Sequence, residues 1–218
     1  MTDKVVYRLT VKTLVAVILL VVGIVALAED NNVAYEKSCL SCHGSTVTDG
    51  VASGPQLGGL SKQYILEQLK GFREGLRGAG DPEAQLMSEA IKQYRGEELS
   101  EIAQWASNSE SKQRFDDSRV KDSKGYQIYV DRCKGCHSSM VGRLMTGSPR
   151  LSELDSGYII RQLNFFAEDF RSFDQPSKHQ LKMQAVVKSL TDDEFVLLTR
   201  FIISASQDKE EVLNESTF

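Results

Sequence analysis

The sequence predicts an all-α chain in which one small unit occurs twice. Three observations carry that expectation. A shift of 94 residues superimposes much of the chain on itself. Each copy holds the same pentad, CLSCH at 39–43 and CKGCH at 133–137, and the two pentads contain all four cysteines. Apolar residues recur at helical spacing, as at Ile65, Leu66, Leu69 and Phe72, with no alternating run long enough for a strand.

The repeat extends well past the pentads. Tyr35 matches Tyr129, four residues before the first cysteine of each copy. Residues 55–72 match 149–166, with identities at Pro55/Pro149, Leu57/Leu151, Leu60/Leu154, Tyr64/Tyr158, Ile65/Ile159, Gln68/Gln162, Leu69/Leu163 and Phe72/Phe166. Glu74/Glu168, Arg77/Arg171 and Pro82/Pro176 keep the register. Agreement at this density means duplication of one unit. A unit of about 75–80 residues is small for a self-sufficient apolar core, so something besides side chains must help fill it.

Taken in order, residues 1–28 form an export signal or an N-terminal membrane anchor. Lys4, Arg8 and Lys12 precede an uncharged run from Thr13 to Ala28, which closes on Ala26-Leu27-Ala28. That run of 16 residues is short for a spanning helix, which favours cleavage. Residues 29–106 make the first domain. Within it Ser61 is placed to cap a helix, and Gly75, Gly78 and Gly80 are placed to end it. Leu99, Ile102 and Ala106 mark the buried face of a later helix. Residues 107–123, with only Phe115 and Val120 as large apolar side chains, are expected as a solvated linker. The second domain, 124–206, repeats the scheme. Asp155 is its first cap, and Thr191-Asp-Asp-Glu194 forms a capping box ahead of Phe195, Leu198 and Ile202. Residues 207–218 form a polar tail.

Composition is that of a globular protein, 41% hydrophobic and 26% charged, with net charge −4. No basic excess points to nucleic acid. Without residues 1–28 the net charge becomes −6, from 23 basic and 29 acidic residues. Residues 29–106 carry −5 and residues 124–206 carry +2, an asymmetry that could present different faces to different partners or be scatter in surface composition.

Three chemistries use paired cysteines. Zinc explains Cys-x-x-Cys but not a histidine directly after both pairs. A redox dithiol of the thioredoxin type needs a βαβ context that is missing. Covalent haem c accounts for every pattern position: Cys39 and Cys42, and Cys133 and Cys136, would each join the vinyl groups of one haem, and His43 and His137 would bind iron. Two apolar porphyrin discs would complete two small cores, and export suits a group attached outside the cytoplasm.

Met87 and Met183 are the candidates for the sixth iron ligand. They follow their histidines by 44 and 46 residues, and eleven residues further on stand Glu98 and Glu194. Met140 and Met145 lie too close after His137 to reach the opposite haem face. His179, four residues before Met183, is the rival ligand in copy two and is otherwise expected at the surface. The carbonyls of Pro55 and Pro149 are candidates to accept the second N–H of each histidine, against a plain turn role. Arg77 and Arg171 are either partners of haem propionates or solvated.

Two units of this kind, each with Cys-x-x-Cys-His, Pro-x-Leu, Tyr-x-x-x-Gln-Leu-x-x-Phe and a late methionine, resemble the cytochrome c4 family over about residues 33–204. The resemblance implies two tandem class I cytochrome c domains joined by a polar linker, with two covalently bound haem c. It implies axial pairs His43/Met87 and His137/Met183, with Pro55 and Pro149 orienting the histidines. It implies a periplasmic carrier, soluble or anchored to the inner membrane, that is not an enzyme. Such a carrier takes electrons from a quinol-oxidising complex (quinol–cytochrome c reductase) or a dehydrogenase toward a terminal oxidase, often cbb3-type. A diheme subunit of a dehydrogenase, for example a sulfide-oxidising flavocytochrome, is the alternative, and a diheme peroxidase-type enzyme the third. Copy two departs from the pattern with Ser138 and Ser139 after its pentad, two extra residues between Pro176 and Met183, and His179.

Overall fold

A computed structural model describes Leu14, Val17, Ile18, Tyr35, 38–44, 54–77, 80–110, 115–173 and 175–206, without the Arg119 side chain. The described residues are mostly helical, and no strand occurs among them. The chain divides into two compact units, Met1–Ser41 and Cys42–Phe218. In the first, Leu14, Val17 and Ile18 are helical and exposed, Tyr35 is helical and buried, and 38–41 are helical. Most of the proposed signal or anchor, Gly78 and the tail 207–218 lie outside the described residues. Among the described residues no helix is long and apolar enough to cross a membrane.

The larger unit holds copy one from Cys42 onward and all of copy two. In copy one, α1 (Lys62–Arg73) packs against α2 (Pro82–Lys92) and α3 (Gly96–Ser107). Ser61 accepts from the Tyr64 N–H at 3.2 Å and caps α1, while Gly75 at φ +72° lets the chain turn away beyond its end. α1 buries Tyr64, Ile65 and Leu69, and α3, packed against it, buries Leu99, Ile102, Ala103 and Ala106. Glu98 accepts from the Arg95 N–H at 2.7 Å, which starts α3.

Copy two repeats this with α7 (Ser156–Ala167), α8 (Lys178–Lys188) and α9 (Asp192–Ala205). Asp155 caps α7 at 2.7 Å, and the Thr191/Glu194 capping box forms as its sequence pattern indicates. Ahead of these, α4 (Lys124–Tyr129) passes without a break through a π-helical turn (Val130–Lys134) into α5 (Gly135–His137). A separate α6 (Met140–Thr146) follows. A Cβ on Gly125 would stand 2.2 Å from the Leu197 carbonyl oxygen, so the α4–α9 crossing requires a glycine there.

The linker expectation needs one amendment. Phe115 is buried, bonds to Ser152 O through its N–H at 3.3 Å, and meets Tyr129 and Phe201 edge-on at 5.8 and 5.6 Å. Such pairs add about 0.5–1.5 kcal/mol each beyond area burial. Phe201, almost fully buried, is the centre of this cluster, whereas Phe195 is only half-buried.

Candidate functional site

Each histidine is held at a helix end by a proline carbonyl twelve residues on. His43 Nδ1 donates to Pro55 O at 2.8 Å, and His137 Nδ1 donates to Pro149 O at 2.9 Å. A carbonyl can only accept, so the proton sits on Nδ1 and the Nε2 lone pair is left for a metal. Proline supplies that acceptor from a backbone whose φ is already restricted. Burial, only partly offset by these bonds, holds both imidazoles below the usual histidine pKa, and the Arg171 cation adds to this at His137. Neutral imidazole is the metal-binding form.

The two histidines differ in what surrounds them. A Cβ on Gly54 would lie 2.5 Å from His43 Cε1, so that ring closes directly on the backbone. In copy two the same register position is Ser148, which accepts from Thr146 Oγ1 at 2.8 Å. The Cys133 thiol is carried on the π-helical turn, and burial pushes its pKa up to about 11. Among the described residues no group of three or more His, Cys, Asp or Glu could hold a metal ion.

In copy two the chemistry converges on one cavity with about 960 Å³ of empty space, part of it open to solvent. Cys133, His137, Pro149 and Met183 line it, as do Arg171, Leu163 and Phe166. Tyr64 and Gln68 of copy one complete the wall, so the first repeat closes the site of the second. Met183 lies half-buried on α8 and Met87 half-buried on α2. Both methionines sit on helices. Met140 and Met145 stay out of the cavity and are 75% and 73% exposed on α6, beside exposed Val141 and Leu144.

His179 is not at the surface as expected. It is half-buried and lines the same cavity as Met183. The reason is helical spacing: four residues apart on α8, the two side chains share a face.

Nor are Arg77 and Arg171 solvated. They are 6% and 5% exposed and form an antiparallel bridge between the repeats. Arg77 Nη2 donates to Gln162 Oε1 at 2.8 Å and Tyr158 OH at 3.4 Å. Arg171 Nη2 donates to Gln68 Oε1 at 2.7 Å and Tyr64 OH at 3.5 Å, and its Nη1 to Gln162 at 3.0 Å. Each guanidinium also sits over the matching ring of its own copy, Phe72 at 4.1 Å and Phe166 at 4.6 Å. Burial first, then the Arg171 cation, lowers the Arg77 pKa. Two neighbouring buried cations call for an anion. Arg171 Nε is buried without a hydrogen-bond partner, on a residue that also lines the cavity. The cavity, the prepared histidine and this orphaned cationic donor all fit a haem with its acidic side chains.

Several known proteins share this organisation. No family model matches the chain. It is 27% identical to cytochrome c4 of Pseudomonas aeruginosa over 172 residues, 75% of this chain and 82% of that protein. It is 24% identical to cytochrome c4 of Azotobacter vinelandii over 204 residues, 85% and 95% of the two chains. Among solved structures, reduced cytochrome c4 of Pseudomonas stutzeri superposes with a TM-score of 0.59 at 24% identity, over 82% of this chain and 98% of that one. The fold also occurs in the thiosulfate dehydrogenase TsdBA of Marichromatium purpuratum (TM-score 0.52, 22% identity, 83% of this chain and 38% of that one).

Fold and sites together define a tandem class I c-type cytochrome, a diheme electron carrier with two covalently bound haem c. Within that class, the chain resembles the cytochrome c4 family, a likeness its relatives support.

Proposed function

We propose that the chain relays single electrons in the bacterial periplasm, from a quinol-oxidising complex toward a terminal oxidase such as a cbb3-type enzyme. In this reading the two repeats are domains 29–106 and 124–206 with 107–123 between them, although Phe115 packs with the second. Cys39 and Cys42 hold haem one, and Cys133 and Cys136 hold haem two. His43 with Met87, and His137 with Met183, ligate the irons. Residues 1–28 serve as export signal or anchor.

The observation that carries the reading is the shared cavity of Cys133, His137 and Met183. Bound haem would supply a one-electron iron couple, and ligation by a methionine together with a histidine would favour a high potential. The chain's own work is positional. Pro55 and Pro149 fix the imidazoles by their Nδ1–H bonds. Arg77 and Arg171 supply buried positive charge for propionates. The Arg–Gln–Tyr bridge holds the two repeats in one arrangement, so an electron accepted at one domain can leave from the other. Exposed Met140, Val141, Leu144 and Met145, on a stretch (135–152) with two arginines and no carboxylate, suit contact with an acid-rimmed redox protein near haem two.

A spectroelectrochemical titration of the haem-loaded protein, with and without carbon monoxide, tests this. Two high-potential haems that ignore carbon monoxide are expected. A low-potential haem, or uptake of carbon monoxide by the unmodified protein, would refute two closed His/Met centres. Service as a dehydrogenase subunit uses the same fold, and co-purification with a flavoprotein would favour it.

A further inference from the structure

Two potential ligands face the cavity of copy two from one helix. His179 and Met183 lie four residues apart on α8, share a face, and both line the cavity that His137 enters. Neutral imidazole is an iron donor at least as good as a thioether. Copy one has no such second donor. Four residues before Met87 stands Glu83, which is ion-paired with Arg161 across the repeat boundary.

The helix that carries the pair is lightly held. Val187 is its only buried residue, and Lys178, Leu181, Lys182, Ala185 and Lys188 are exposed. Gln184 and Lys188 tie it to Asp169, itself a surface residue, at 2.6 Å. Moving His179 to the height of Met183 requires a shift of four residues, about 6 Å along the helix axis at 1.5 Å per residue. One-turn shifts of this size are a known mode of helix movement.

We infer that His179 is a reserve axial ligand of haem two, built to replace Met183 when the thioether is lost or displaced. The inference rests on Met183 as the resident ligand. Its consequence is an asymmetry: loss of the methionine opens haem one to small ligands, but leaves haem two closed and at a lower potential.

The test compares Met183→Ala and Met183→Leu with Met87→Ala, and adds the double variant Met183→Ala/His179→Ala, all in the full haem-loaded chain. The readouts are carbon monoxide uptake per chain, spin state by electron paramagnetic resonance, and the potential of each haem. Met87→Ala takes up one carbon monoxide. Met183→Ala takes up none, stays low-spin and gives haem two a lower potential, and the double variant takes up one. Met183→Leu keeps the side-chain volume and gives the same result if the alanine variant does not mature. Carbon monoxide binding to haem two in Met183→Ala would overturn the inference while leaving Met183 as ligand. A double variant that still excludes carbon monoxide would overturn it in favour of another donor. A Met183→Ala protein with unchanged spectrum and potential would remove Met183 itself, and the inference with it.

Discussion

The two haem domains share their histidine geometry and diverge around it. Both imidazoles bond to a proline carbonyl at nearly the same distance, 2.8 and 2.9 Å. Yet His43 lies against Gly54 with no room for a methyl group, while the matching residue in copy two is Ser148. Met87 follows an ion-paired Glu83, and Met183 follows His179 in the cavity wall. After its pentad, copy two carries Met140, Val141, Leu144 and Met145, where the sequence of copy one reads Thr46, Val47, Gly50 and Val51. The difference teaches that duplication preserved the part that orients the histidine and released the parts that decide access, ligand choice and partner contact.

The largest effect comes from removing one attachment. Cys39→Ala with Cys42→Ala should leave one covalent haem per chain, and Cys133→Ala with Cys136→Ala should leave the other, counted by intact mass. Loss of both haems from either variant would mean that the domains do not mature separately. Next, Met87→Ala should lower the potential of haem one alone and open it to carbon monoxide, and unchanged potentials without uptake would strike Met87 from the ligands.

Arg171→Ala removes charged bonds to Gln68 and Gln162 and should cost about 2–3 kcal/mol in chemical denaturation. Arg77→Ala, which loses fewer bonds, should cost less. Equal values would argue against the extra Arg171–Gln162 bond. The smallest effect contrasts the two pockets. Gly54→Ala should overpack His43 by about 1–2 kcal/mol, while Ser148→Ala should change stability by about 0.5 kcal/mol or less. Thermal melts followed at each haem would measure both.

Much of this was legible in the residues. The pentads, the proline carbonyls, the caps at Ser61 and Asp155 and the Thr191 box are local signals, fixed by a few neighbouring positions. The burial of Arg77 and Arg171 is not local, because it depends on one repeat meeting the other. A signal did exist: Tyr64, Gln68, Phe72 and Arg77 recur identically in copy two, and polar identities on an apolar helix face mark a shared contact. The helices α2 and α8 were harder. Leu86 and Leu181 point outward at 67% and 51% exposure, and each helix buries a single residue, so no clear apolar stripe forms. That blurred pattern also hid His179, whose place follows only once α8 is known to be helical.

The crossed Arg77–Gln162 and Arg171–Gln68 bonds have a further consequence. A contact in which each half gives what the other gives is the pattern of a twofold homodimer, here written within one chain. A free dimer would separate on dilution. Here the peptide connection sets a local concentration on the order of millimolar, so a weak contact is enough to keep the halves together. Partners in the cell can therefore meet this protein at any abundance and always find both redox centres in the same pairing.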